Sequence, residues 1–447
     1  MTGAWWGTVV LSCVLFLSAS LVVARAGGGE EPETATTLKL TLLLIGAGFL
    51  RIFLAAVTKG YEADIATFSA WAGHAAHGLG SFYSPGYFAD YPPGYIYVLW
   101  LIGTLQKALG IDFGSPEFLI LLKLPAICAD CATTVLLFTY ARRSWGSTAS
   151  LLLAGLYAFN PAVIFDSAVW GQVDSVLTLP ILLGVLLLEK SPAGAGAAFA
   201  TALLIKPQAL IFAPLPLLWF AIRFLRREQH TSADLLKFTG SGLALFCLVI
   251  LPFSVGESPL WIIRKYGSTL ASYPYATLNA YNLFALSGGN AAPVGDPFLF
   301  LTYGVWGNIG IVLAVLFATV VMLRGREFSR FWYSPLFLSA TVFIMTAKMH
   351  ERYLFPALAL SLGLFIATRS RPVLVIFAGF SVTQFLNVAQ VLTYSHSNIF
   401  GVPRLDPLLL SVSFANVALW MLLAWIGYRR YVSPRQRQLP SHSCKAL

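Results

Sequence analysis

Charge is scarce in this chain of 447 residues: Asp, Glu, Lys and Arg make up 11% of it, against about 25% in an ordinary soluble domain. Together with 57% hydrophobic residues and a mean hydropathy of +0.75, that shortage excludes a soluble globular protein. Cysteine is sparse as well. Cys13, Cys128, Cys131, Cys247 and Cys444 lie mostly in or beside apolar runs, and Cys128 and Cys131 lack the second pair a zinc site needs, so packing is their expected role. No Gly-rich turn of the kind that cradles a nucleotide is present, which excludes a Rossmann-type domain. No period of 20 to 50 residues repeats and no inverted-repeat hydropathy is visible, which counts against a secondary transporter. The surplus of +10 sits in short clusters between apolar runs, so it speaks to membrane orientation and not to nucleic acid.

What fills the chain instead is apolar runs, at about 4–24, 38–58, 118–140, 148–164, 173–188, 193–205, 208–224, 235–253, 303–323, 333–347, 354–367, 372–390 and 407–427. They predict an all-α polytopic membrane bundle of about thirteen spans. With the breaks at Arg142 and Arg143, Lys190, Arg223 to Arg227, Arg324 to Arg330, Arg369 and Arg371, and the tail from Arg429 in the cytoplasm, every second break is basic and the others face outward. The run at 95–109 is too short, at roughly 15 residues against about 20 for a span. It is placed as an interfacial or re-entrant helix, which makes 59–117 one long outward loop. The N-terminal run resembles a signal peptide with a candidate cleavage site at residues 24–26, but it lacks the positive n-region, and cleavage would invert every later loop. It is expected to stay as a first span.

The short runs at 148–164, 173–188 and 193–205 predict a dent on the outward side, where irregular backbone survives only beside protein or a water-filled cavity. Polar residues collect there. In the first outward loop Phe68, Trp71, Ala75 and Leu79 recur at helical spacing, predicting an amphipathic interfacial helix with Asp64 in its first turn, as a cap or as a functional acid. His74 and His77 lack a third metal ligand and are expected to pack. Asp90, Tyr91, Pro92 and Pro93 form a rigid turn, read as mostly structural. Asp166, Trp170, Gln172 and Asp174 form a second group, read as part of a cavity or as a capped hairpin turn. Lys206, at a proline break, lines that cavity or snorkels to the interface. The third group is Lys348, His350, Glu351, Arg352 and Tyr353, a basic cluster on the side that the charge pattern disfavours, and such a cluster suits a phosphate. Arg51, Lys123 and Asp130 fall inside apolar runs and are expected to pair with one another. The loop at about 254–302 has a composition suited to covering a ligand.

At these residues the chain resembles the C superfamily of glycosyltransferases (GT-C), and most of all bacterial mannosyltransferases related to the second GPI mannosyltransferase and the glucosyltransferases of the N-glycan precursor. The matching pieces are Asp64 with Trp71 seven residues on, Phe82–Tyr83, DYPP at 90–93, WGQVD at 170–174, KPQ at 206–208 and HER at 350–352. The resemblance implies an enzyme of the plasma membrane, with its active site on the extracytoplasmic face. It divides the chain into an extra span and linker (1–37), a catalytic module (38–253), an outward loop (254–302), and a helical module with a basic cytoplasmic tail (303–447). It implies transfer of a hexose, mannose by resemblance, from a polyprenyl phosphate donor to a hydroxyl of a glycan, glycolipid or protein, with Asp64 as base and Glu62 as the competing acid. Arg352, His350, Lys206 and Lys348 would hold the donor phosphate, and Trp170, Gln172, Asp174, Tyr91, Glu351 and Tyr353 the substrates. No cofactor and no metal is expected. A flippase for lipid-linked sugars, or another transporter of amphiphiles, is the alternative, and a structural membrane protein a third.

Overall fold

Each of the thirteen apolar runs is helical in the computed structural model, which describes residues 3–25, 29–84 and 86–433. Ala26 of the candidate cleavage site, Cys444 and the basic tail beyond Ser433 lie outside the described residues. Proline opens many of the helices, among them Pro116–Ala141, Pro192–Ile205 and Pro407–Gly427, because its fixed φ suits the first turn and its missing N–H costs nothing there. Ser115, Ser191 and Asp406 cap these three by accepting hydrogen bonds from first-turn amides.

Among the described residues eight helices are long and apolar enough to cross a membrane, or nine if the pair Ser147–Ala158 and Pro161–Trp170, bent by 44°, counts as one span. The chain is therefore a membrane-embedded helical bundle. Asp174–Leu187, Pro192–Ile205, Arg330–Met345 and Phe355–Thr368 have 14, 14, 16 and 14 residues, each short of the ~20 that a crossing takes. Burial separates these helices from the rest. Residues Phe355 to Ile366 are buried throughout, whereas in Thr231–Ile250 only Thr231 is buried. The first kind is apolar because it is core, the second because it faces lipid.

The region 59–117 carries two helices, Glu62–Ala75 and Pro93–Leu109. Phe68, Trp71 and Ala75 are buried and Leu79 is half-buried. Their partners differ from the expected lipid interface. Phe68 and Trp71 lie 5.6 and 5.4 Å from the ring of Tyr91, and Phe68 lies 5.8 Å from that of Tyr95, so the apolar stripe closes on the second loop helix, where aromatic pairs gain beyond their area. His74 stacks on Tyr87 at 4.1 Å, and His77 Nδ1 is 2.8 Å from the Gly73 carbonyl.

Of the buried charges, Arg51 and Asp130 pair at 2.9 Å, each 1% exposed. Lys123 does not join them. Its ammonium donates to the carbonyl and hydroxyl of Thr58, at 2.8 and 3.2 Å, where the second long helix ends and the first loop begins.

Contacts gather the basic breaks at one end of the bundle. Arg142 pairs with Glu30 and Glu33, Arg369 donates to the Ser144 carbonyl, Arg330 lies near Glu189, Arg226 donates to the Leu323 carbonyl, and Arg430 pairs with Glu327. Helix Glu33–Val57 starts at this end, and Asp64, Trp170 and Arg352 meet beyond its other end.

Candidate active site

The site starts where the backbone turns into the first loop. Gly60 has φ +82°, and a Cβ there would lie 2.5 Å from the Trp170 carbonyl oxygen, so only glycine allows this approach. Tyr61 follows, its amide donating to that same carbonyl at 3.0 Å and its ring stacked on Trp170 at 4.6 Å. One turn on, Asp64 meets the indole: Trp170 Nε1 donates to Asp64 Oδ2 at 2.7 Å. Residue Tyr61 occupies the cap position and makes no side-chain cap bond, so Asp64 is not a cap. Glu62 is exposed and does not line the cavity that Asp64 enters.

Trp170 closes a π-helical turn, Phe165–Trp170, a rare form that recurs at functional sites. Gly171, at φ +89°, ends it, and a Cβ there would lie 2.7 Å from Ile65 Cδ1. After the turn Gln172 borders the cavity and Asp174 stands behind its lining. Gln172 Oε1 accepts from Tyr91 Oη and Lys206 Nζ, both at 3.2 Å, and Lys206 Nζ reaches Asp174 Oδ1 at 2.7 Å. Lys206 is thus buried and paired, at 1% exposure, not snorkelling. The capping role considered for Asp174 is also absent, since Val173 holds the cap position. The side-chain oxygens of Asp166 are buried with no hydrogen-bond partner.

Arg352 joins the two halves. Its Nη1 lies 3.1 Å from Asp64 Oδ2 and 2.6 Å from Glu351 Oε1, its Nε lies 3.8 Å from Asp174 Oδ2, and its guanidinium carbon sits 5.0 Å from the Trp170 ring centre. Burial works against that charge, but Asp64, Glu351 and Asp174 together outweigh it and hold Arg352 well above its ordinary pKa. The cluster around Arg352 therefore differs from the free cationic patch expected from sequence. Burial first, and then the Arg352 charge, drive His350 down to about 3, so at neutral pH it is an uncharged ring, set 4.8 Å from Tyr273 and 5.2 Å from Tyr353. Lys348 donates to the Leu270 carbonyl at 2.9 Å, at the rim.

These groups line a cavity of about 610 Å³. Asp64, Tyr91, Gln172, Lys206, Lys348, His350, Arg352 and Tyr353 all border it, while Trp170, Asp174 and Glu351 stand behind that lining. Asp90, in the 90–93 turn, borders it too, and burial raises the Asp90 carboxyl above its usual range. Leu210, Ile211, Ile311 and Val342 form an apolar side, and Leu210 and Ile311 are themselves exposed at 40% and 42%, so this side reaches the apolar surface of the bundle. The region 254–302 does cover the cavity, through Thr269, Ser272 and Tyr273. It is tied down where Thr277 and Leu278 pair in parallel with Met349 and His350.

The sequence alone assigned no individual role to Gly60, Tyr61, Gln208, Tyr273 or Asn308. A glycine just before an aromatic at the end of a span is the one signal that could have pointed to the first two; the others become neighbours only through the fold. Among the described residues no group of three or more His, Cys, Asp or Glu side chains is arranged to hold a metal ion. Compared with protein-family profiles and with curated proteins, the sequence matches none.

Proposed function

We propose that this protein is a membrane glycosyltransferase of the GT-C kind, moving a hexose from a polyprenyl phosphate donor to an acceptor hydroxyl outside the cytoplasm. The observation that carries the reading is the meeting of Asp64 with Arg352 and Trp170, from three distant parts of the chain, in a cavity with an apolar side. A general base beside a strong phosphate ligand is what displacement of a lipid phosphate needs. The donor phosphate competes with Asp64 for Arg352, while Trp170 keeps the freed carboxylate in place. The acceptor oxygen attacks the anomeric carbon, its proton passes to Asp64, the bond from that carbon to the phosphate oxygen breaks, and the electron pair leaves with the polyprenyl phosphate. One displacement inverts the anomeric centre. Arg352 and Lys206 balance the charge of the leaving group, so no metal is required. The lipid tail lies along Leu210, Ile211 and Ile311.

In this reading the shorter helices complete the crossings to about thirteen, with the N-terminus outside and the C-terminus inside. Mannose rather than glucose rests on the resemblance alone. Purified protein incubated with an acceptor and, in parallel, polyprenyl phosphate mannose, polyprenyl phosphate glucose and GDP-mannose tests the proposal. Transfer from one of the lipid donors is expected. Transfer from GDP-mannose without lipid, or movement of the lipid donor across vesicles with no transfer, would overturn it, the latter in favour of a flippase.

A further inference from the structure

At the opposite end of the bundle a second recess, of about 250 Å³, lies where Phe355–Thr368 ends, Arg371–Ser395 begins and Pro407–Gly427 ends. One wall is apolar, with Leu364, Val373 and Ile426 beside a Trp425 that is 51% exposed. The other wall carries the hydroxyls of Thr368, Ser370 and Ser433 and the guanidiniums of Arg429 and Arg430. Among the described residues no carboxylate lines it. Arg430 reaches outside the recess to Glu327 at 2.6 Å, leaving its Nε buried and without a partner. Arg429 lies 5.4 Å from the Trp425 ring and makes no hydrogen bond or ion pair among the described residues. The recess therefore has one cation more than it has partners for. A neighbouring recess at the same end differs in this respect: there Arg223, Arg226 and Arg330 are matched in number by Glu189, Glu228 and Asp234.

We propose that the recess between Ser370, Trp425 and Arg429 binds the phosphate of an anionic membrane phospholipid. Two adjacent guanidiniums with the hydroxyls of Ser370 and Ser433 suit a phosphate, which accepts from them, while the Thr368 hydroxyl already donates to the Leu364 carbonyl. An exposed Trp sits at headgroup depth in a bilayer, and the apolar wall beside it takes the start of the acyl chains, which a free phosphate would leave uncovered. The basic breaks gathered at this end put the recess against the anionic cytoplasmic leaflet. The site is remote from the cavity at the other end, and the proposal stands whether or not that cavity transfers sugar.

The test is the full chain in neutral detergent, titrated with phosphatidylglycerol, phosphatidylcholine or inorganic phosphate, with bound lipid read by native mass spectrometry and stabilisation by the thermal unfolding midpoint. Phosphatidylglycerol should bind and stabilise in preference to phosphatidylcholine. Arg429→Gln should weaken that binding roughly fivefold, as expected for one surface arginine beside an anionic lipid. Ser370→Asp, which sets a carboxylate in the recess, should remove the preference. Equal binding of the two lipids, or unchanged selectivity in both variants, would overturn the site. Displacement of phosphatidylglycerol by millimolar inorganic phosphate would assign the recess to a soluble phosphate instead.

Discussion

The two ends of this bundle handle charge in opposite ways. At the basic end, ion pairs are partly wet and join breaks between helices: Arg142 is 25% exposed and its partners Glu30 and Glu33 71% and 77%. At the cavity end the pairs are mostly dry. The Arg352 side chain is 11% exposed, against 22% for Asp64, which opens to the cavity, 6% for Glu351 and 4% for Asp174, and the Lys206 side chain is 2% exposed. A wet pair gains little and is screened by salt. A dry one is expensive to assemble and costly to break, because each charge left behind is stranded. A cluster of dry charges is thus poor scaffolding and good machinery, since a ligand of matching charge can exchange with one of its members.

The comparison is broken most completely by topology. Single cysteines at Ser81 and Gln229, both exposed, in a background lacking the native cysteines, should differ all-or-none: an impermeant thiol reagent applied to intact cells labels position 81 and not 229. The reverse pattern would place the cavity in the cytoplasm. Next in size is Asp64→Asn, which should cut sugar transfer by roughly 10²-fold to 10⁴-fold while leaving the unfolding midpoint near wild type; Glu62→Gln should keep turnover. If the two results trade places, Glu62 is the base.

Arg352→Ala strands Glu351 and leaves Asp64 with the Trp170 indole alone, while Asp174 keeps Lys206, and should cost about 3 kcal/mol of stability, read as a lower unfolding midpoint. Arg352→Lys should recover much of that stability and little of the donor use, because lysine lacks the two-point contact with phosphate. A lysine variant with normal donor KM and kcat would remove Arg352 from phosphate binding. A smaller effect concerns pH. His350 lies below its ordinary value of about 6.5, at about 3 in the folded protein. The folded state therefore binds fewer protons than the unfolded one, and stability from this residue is complete above pH ~6.5 and drains as pH falls toward 3. His350→Gln should flatten the fall in unfolding midpoint between pH 7 and pH 4, and an unchanged slope would show that His350 titrates normally. At the basic end Arg142→Ala should shift stability by about 1 kcal/mol or less, and less again in high salt; a loss as large as that at Arg352 would erase the distinction between the two ends.

Much of this was legible one residue at a time. Helices stood where the apolar runs stood, and Asp64, Gln172, Lys206 and Arg352 were marked by being polar where polarity is costly. Their relations were not. Arg352 read as a free cation because Glu351 alone neighbours it in sequence, while Asp64 and Asp174 reach it from 288 and 178 positions away. Lys123 read as a partner for Asp130, seven residues along the same helix, but points instead to Thr58. The loop helix Glu62–Ala75 read as lying on lipid because an amphipathic stripe does not say what covers it.

By itself the sequence determined that this protein lives in a membrane as a helical bundle, that its basic breaks alternate, and which side chains are too polar to be there by accident. Those properties follow from composition and period, which are local. Tertiary structure decided which apolar helices are core and which face lipid, that Tyr61 and Arg352 flank Trp170, and that the cavity's cations are already held by carboxylates. Hydropathy measures how badly a side chain wants to leave water, and it is the same number for a leucine packed on protein and one packed on lipid. A charge inside the bundle must likewise find a partner, but only the fold sets which one comes within 4 Å.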